Sequence, residues 1–257
     1  VNATKPQRIL ITGATGAIGG ALAEAYATPG VELRLHGRNA AKLAAVAGRC
    51  TARGATVLTQ RFDLRDTAAL RAWLDEVCAT AALDLVVVNA GMNTNIGPTD
   101  EGEPWDEVEA LLDINLKASL AMVHGVLPAM RRRGRGQIAL VSSLAGYFGL
   151  PVTPAYCASK AGVKAYGEAL RGWLAPEGIK VNVIMPGYVE SPMCEAMPGP
   201  KPFLWQPERA ARVIQRGLAK DKARISFPFP LNLGSWFLAV LPAAISLRIL
   251  SLIGYRG

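Results

Sequence analysis

Histidine and cysteine are scarce, and the scarcity removes several kinds of chemistry. The 257 residues include two histidines, His36 and His124, and four cysteines, Cys50, Cys78, Cys157 and Cys194. None stands at a ligand-type spacing such as CxxC, so neither a metal centre nor a Ser/His/Asp arrangement is expected, and both histidines read as structural. No charged-then-apolar leader is visible, and the thiols read as free in a reducing cytoplasm. Acidic residues are the minority charge, 20 against 28 Lys plus Arg. The net charge of +8 allows nucleic acid, anionic lipid or a phosphorylated cofactor as partner without choosing among them. The densest charge is Arg131, Arg132, Arg133 and Arg135, which closes an apolar helical pattern (Leu120, Val123, Leu127, Met130) before Gly136. Cations there offset a helix dipole, so a solvated helix end is expected rather than a nucleic-acid site. A hydrophobic share of 51% excludes general disorder, and the length suits one α/β domain over 1–257.

What the chain does contain is a rhythm of strand and helix. Arg8 to Thr12 is a short apolar strand that runs into Gly13-Ala14-Thr15-Gly16-Ala17-Ile18-Gly19 and then a helical pattern through Tyr26. Glycines 13, 16 and 19 let the backbone turn, let a pyrophosphate approach, and let helix pack on strand. A second strand, Val31 to His36, ends in Gly37-Arg38-Asn39. An NAD site places an acid here; this chain has Gly37, then Arg38, whose guanidinium suits the 2′-phosphate of NADP. The alternative is a solvated Arg38 opening the next helix, Ala40 to Arg53. After the strand Thr56 to Phe62, Asp63-Leu64 either meets an adenine edge or lets Asp63 cap the helix Thr67 to Thr80. The strand Leu83 to Val88 ends in Asn89-Ala90-Gly91, small enough for a cofactor to lie flat on the backbone. A polar loop, Met92 to Pro104, precedes a long helical region that contains Asn115. Asparagine is a poor interior helix former, so Asn115 marks a bulge or a bound water, or is merely structural. Strands Gln137 to Val141 and Lys180 to Ile184 end in Ser142-Ser143 and Met185-Pro186-Gly187. This alternation predicts a parallel, doubly wound sheet with helices on both faces. Ligands bind beyond the carboxyl ends of such strands, where Gly13, Asn89, Ser143 and Pro186 fall.

The chemistry concentrates between Ser143 and Lys160. If the segment around Tyr156 is helical, Lys160 lies one turn on and on the same face. A cation there favours phenolate, drawing a group of pKa near ~10 toward useful acid/base work. Ser143 can hydrogen-bond the oxygen that Tyr156 protonates. An ordinary helix with a buried Tyr and a snorkelling Lys is the alternative.

Together the segments TGATGAIG (Thr12 to Gly19), NAG (Asn89 to Gly91), Asn115, Ser143, YCASK (Tyr156 to Lys160) and Pro186-Gly187 resemble the short-chain dehydrogenase/reductase family. The match is continuous from about Arg8 to Gly187 and looser to about Phe227. The resemblance implies a seven-stranded Rossmann sheet and hydride transfer at nicotinamide C4. Tyr156 would be the general acid/base, Ser143 the stabiliser of the substrate oxygen, and Lys160 the ligand of the nicotinamide ribose. Asn115 would hold a water linking Lys160 to solvent. NADP(H) is favoured over NAD(H), although Thr15 stands where many NADP-preferring members carry Arg or Lys. A dimer or tetramer is also expected.

Beyond Gly187 a flap is expected over about 188–206, with Val189 and Ser191 near the cofactor. Met193, Met197, Phe203 and Trp205, with Leu144, Tyr147 and Phe148, are candidates for an apolar substrate pocket, or for core. From Pro228 to the last residue the tail is apolar, and no charge occurs between Arg224 and Arg248. It reads as a cover for a subunit or pocket, an interfacial anchor, or, against the breaks at Pro228, Pro230, Gly234 and Pro242, a span. The expected function is an NADP-linked carbonyl reductase or alcohol dehydrogenase on an apolar or lipid-like substrate. Sugar-type substrates, or a non-catalytic dinucleotide sensor, are the alternatives.

Overall fold

Seven short runs pair side by side, the central ones rich in Val, Ile and Leu and buried, as the inner strands of a parallel sheet are. The structure, a computed structural model, describes residues 5–97 and 102–255. Residues 98–101 of the polar loop and the ends of the predicted 1–257 domain lie outside the described residues. The strands are β1 (Arg8–Ile11), β2 (Glu32–His36), β3 (Thr56–Gln60), β4 (Leu85–Val88), β5 (Gly136–Val141), β6 (Ile179–Pro186) and β7 (Arg224–Phe227). They form one sheet in the order β3-β2-β1-β4-β5-β6-β7, all parallel. The order reverses between β1 and β4, which opens a crevice at their carboxyl ends.

Helices cover both faces. They are α1 (Ala17–Tyr26), α2 (Ala40–Ala52), α3 (Thr67–Thr80), α4 (Trp105–Leu112), α5 (Ala118–Arg133), α6 (Pro154–Leu174), α7 (Pro192–Glu195), α8 (Pro207–Ala219), α9 (Leu231–Val240) and α10 (Ala243–Leu252). Side chains alternate along each strand, so Ile9 and Ile11 join a core with α1, α2 and α8, while Leu10 joins one with α3, α5 and α6. Arg171 of α6 donates to the Val181 carbonyl (2.7 Å) and to both carboxylate oxygens of Asp221, fixing that helix on the β6 edge.

Several boundary expectations are corrected. β3 stops at Gln60, because Phe62 turns in to pack on His36 and Trp73. Asp66, not Asp63, caps α3, accepting from the Ala68 and Ala69 amides. The arginine cluster does end a helix, with Gly134 left-handed at φ 59. Its charges are partly committed: Arg131 pairs with Glu177 at 2.7 Å and Arg133 donates to the Leu83 carbonyl.

Candidate active site

Thr12 stitches the crevice together. Its hydroxyl oxygen accepts from the Asn89 and Ala90 amides (3.0 and 3.2 Å), and the Asn89 side-chain amide donates to the Thr12 and Gly13 carbonyls. The turn leaves no room for side chains. Gly13 has φ +66, and a Cβ there would stand 2.7 Å from the Ala90 Cα; one on Gly19 would run into the Gly13 carbonyl. Gly16 opens α1 with no side-chain cap, so amides of its first turn are free to receive an anion.

Beyond this turn lies a cavity of about 1010 Å³. All the candidate residues line it except Gly19, Asn115, Tyr147, Phe203 and Trp205. At one end stand Arg38, Asn39 and Asp63, joined by Lys42, which nothing in the glycine pattern had signalled. Arg38 is exposed, 3.9 Å from Asp63. Asp63 is held low in pKa by its hydrogen bond to Arg65. A Cβ on Gly37 would meet the Thr15 methyl at 2.5 Å, so an acid at this position would require the Thr15 side chain to shift.

At the other end Tyr156 and Lys160 project from α6, with Ser143 just past β5. Ser143 caps the short turn Leu144–Gly146, accepting from Ala145 at 3.2 Å. Burial pushes the Tyr156 phenol up to about 12, and a hydrogen bond with Ser143 pulls it back. Lys160 donates to the Val141 carbonyl at 3.0 Å and stands 5.6 Å from the centre of the Tyr156 ring. Burial lowers its own pKa from 10.5 to about 8. The expected dominance of the ammonium over the phenol is therefore not what the structure has: Lys160 is not among the groups that shift Tyr156. Burial, partial for Tyr156, favours the neutral form of each.

Asn115 sits behind the wall, in a π-helical turn over Asp113–Lys117 that realises the expected bulge. Its amide donates to the Met92 carbonyl and to Ser159, and its oxygen accepts from the Met92 amide at 2.8 Å. Glu103, unremarked in the sequence, accepts from the Ala155 amide at 2.8 Å, placing a carboxylate at the amino end of the helix that carries Tyr156.

Three substrate candidates are corrected. Trp205 stacks on Phe227 at 5.1 Å and belongs to the core edge. Phe203 points to solvent at the loop tip, φ 57. Tyr147 turns to an adjacent groove, while Phe148 faces the cavity. Backbone pairing of Tyr188 and Glu190 with Trp205 closes the base of the 188–206 segment. The rest of the apolar wall comes from the tail: Phe237, Leu238, Ile249, Leu250, Ile253 and Tyr255. Tyr255 holds the tail down, donating to the Pro200 carbonyl at 2.6 Å and bonding the Tyr188 hydroxyl at 2.5 Å.

Fold and cavity together define a doubly wound α/β protein of the nucleotide-binding class. Residues 7–200 match the family model for short chain dehydrogenases. An uncharacterised oxidoreductase of Myxococcus xanthus is 36% identical over 236 residues, covering 91% of this chain and 92% of that one. A ketoacyl reductase of a Nostoc species is 31% identical over 182 residues, 70% of this chain and 63% of its own length. Among solved structures, a short-chain dehydrogenase from Sphingobium yanoikuyae in complex with NADPH superposes with TM-score 0.80 at 25% identity, covering 94% of this chain and 93% of that one. The chain belongs to the short-chain dehydrogenase family of NAD(P)-dependent oxidoreductases.

Proposed function

We propose that the chain is an NADP(H)-linked enzyme interconverting an apolar ketone and a secondary alcohol, with Tyr156 as general acid/base. The observation that carries this reading is one cavity bounded by the glycine turn at one end and by Tyr156, Ser143 and Lys160 at the other. A bound NADPH would supply the hydride. Gly13, Gly16 and the first turn of α1 would hold its pyrophosphate, and Arg38 and Lys42 a 2′-phosphate. Gly37 supports NADP over NAD, because it lacks the acid an NAD site uses and a Cβ there would have to displace the Thr15 side chain.

Tyr156 and Ser143 would meet the substrate oxygen together. A phenol held near 12 is a proton donor at neutral pH, which suits the reducing direction. Leu144, Met193, Met197 and the tail residues favour an apolar substrate over a sugar, and the ketoacyl reductase relative supports an acyl-type carbonyl. The four free cysteines support a reducing cytoplasm, and the family resemblance supports a homo-oligomer.

The test is NADPH oxidation against a broad panel of carbonyls, from short soluble ketones to long-chain ones. Absence of turnover on every class would leave the sensor reading. In the same assay Arg38→Ala is expected to narrow the NADPH-over-NADH preference by about tenfold, the loss of one charge-assisted phosphate contact. An unchanged ratio would remove Arg38 from cofactor recognition.

A further inference from the structure

The helical pair that closes the described chain also presents an apolar surface to solvent around the cavity mouth. On α9, Leu233, Trp236, Phe237 and Val240 recur at i, i+3, i+4 and i+7, and all are exposed. That helix carries no charge and buries no residue. On α10, Ile245 and Leu252 are exposed on one face with Arg248 between them. Contiguous apolar surface of this kind marks a binding face. Each helix has 10 residues, too short to cross a bilayer. The longer apolar stretch, Trp105–Arg133, is half-buried inside the fold.

We infer that α9 and α10 lie on an anionic phospholipid surface and pass bilayer-dissolved carbonyl substrates directly into the cavity. Charge is the first argument. After Asp221 the sequence has no Asp or Glu, while Lys222, Arg224, Arg248 and Arg256 remain. Arg224 is already paired with Glu168, whereas Arg248 is exposed between Ile245 and Leu252, and with no acid on α9 or α10 it complements an anionic interface. Position is the second. Phe237 and Ile253 are 52% and 54% exposed, yet both also line the cavity, so its mouth opens within the patch. A protein seated on the patch would stopper that mouth. A fluid lipid surface leaves it open and supplies apolar substrate through it. The substrate half of the inference rests on the reductase reading; the docking half does not.

The experiment is sedimentation of the full chain with phosphatidylcholine vesicles, with and without phosphatidylglycerol. Binding is expected only with the anionic lipid. A blue shift of tryptophan emission should accompany it and vanish in Trp236→Phe. Combining Leu233→Ser, Val240→Ser and Leu252→Ser, none of which lines the cavity, should lower the bound fraction about tenfold. Turnover of a long-chain ketone held in vesicles should fall with it, while reduction of a short soluble ketone stays unchanged. A wild-type chain that remains in the supernatant with both vesicles overturns the inference. So does one that elutes as a dimer which the three substitutions dissociate, since that assigns the face to a second copy. Binding is read without turnover, so a chain that bound anionic vesicles yet reduced no carbonyl would uphold the docking and sink only the reductase reading.

Discussion

Tyr156→Phe is expected to lower kcat for carbonyl reduction by about 10²–10⁴-fold, the range a positioned general acid contributes. The ring would stay where it is, packed within the cavity wall, and only the ionisable proton would be lost. Binding of NADPH, followed by protein-to-cofactor fluorescence transfer, should survive, because the glycine turn and Arg38 lie at the far end of the cavity. KM for the carbonyl should change far less than kcat, since the proton matters most as negative charge develops on the substrate oxygen. Turnover within a few fold of wild type would remove Tyr156 from the chemistry, whatever its position.

The second large effect concerns Lys160, where activity and stability should move in opposite directions. Its ammonium is buried, and folding lowers its pKa from 10.5 to about 8. Below pH 8 the folded chain must hold a buried charge that the unfolded chain would hydrate, at a cost of up to about 3 kcal/mol. Between pH 8 and 10.5 the unfolded state binds the extra proton, so this group's contribution to stability rises with pH and levels off above 10.5. Lys160→Met should therefore raise Tm at pH 7 by several degrees, at about 2–4 °C per kcal/mol for a chain of this size, and the gain should shrink as pH approaches 10. Turnover should fall by at least about 10²-fold, because the charge that could favour phenolate is gone. In the wild type, reduction should decline as pH rises through 8, where Lys160 loses its proton. A lower Tm for the variant at pH 7 would show that the Val141 carbonyl contact outweighs the desolvation.

How much of this could be read beforehand depends on whether a signal is local. The strands and the glycine turn were legible because alternation and glycine at fixed offsets are written in consecutive residues. Tyr156 and Lys160 were paired by helical spacing alone. Spacing is silent about burial, though, and burial is what sets both their pKa values. For α3 the sequence reading offers Asp63 alone as the cap, yet Asp66, directly before Thr67, is the one with the extended backbone and the amides within reach. Apolar character could not sort Met193 from Trp205, since a cavity wall and a core edge draw on the same side chains. Glu103 lies 52 residues before the amide it receives, and the tail's share of the cavity wall follows from a fold-back that no local pattern announces.

The touch between Gly37 and Thr15 constrains the order in which this sequence can change. Introducing an aspartate at 37 alone would drive its Cβ into the Thr15 methyl. Trimming Thr15 to glycine alone would leave the coenzyme preference where it is. An acid at 37 is expected to act best once Thr15 yields, so the two positions should show epistasis in coenzyme preference, the pair doing more than the sum of the single steps.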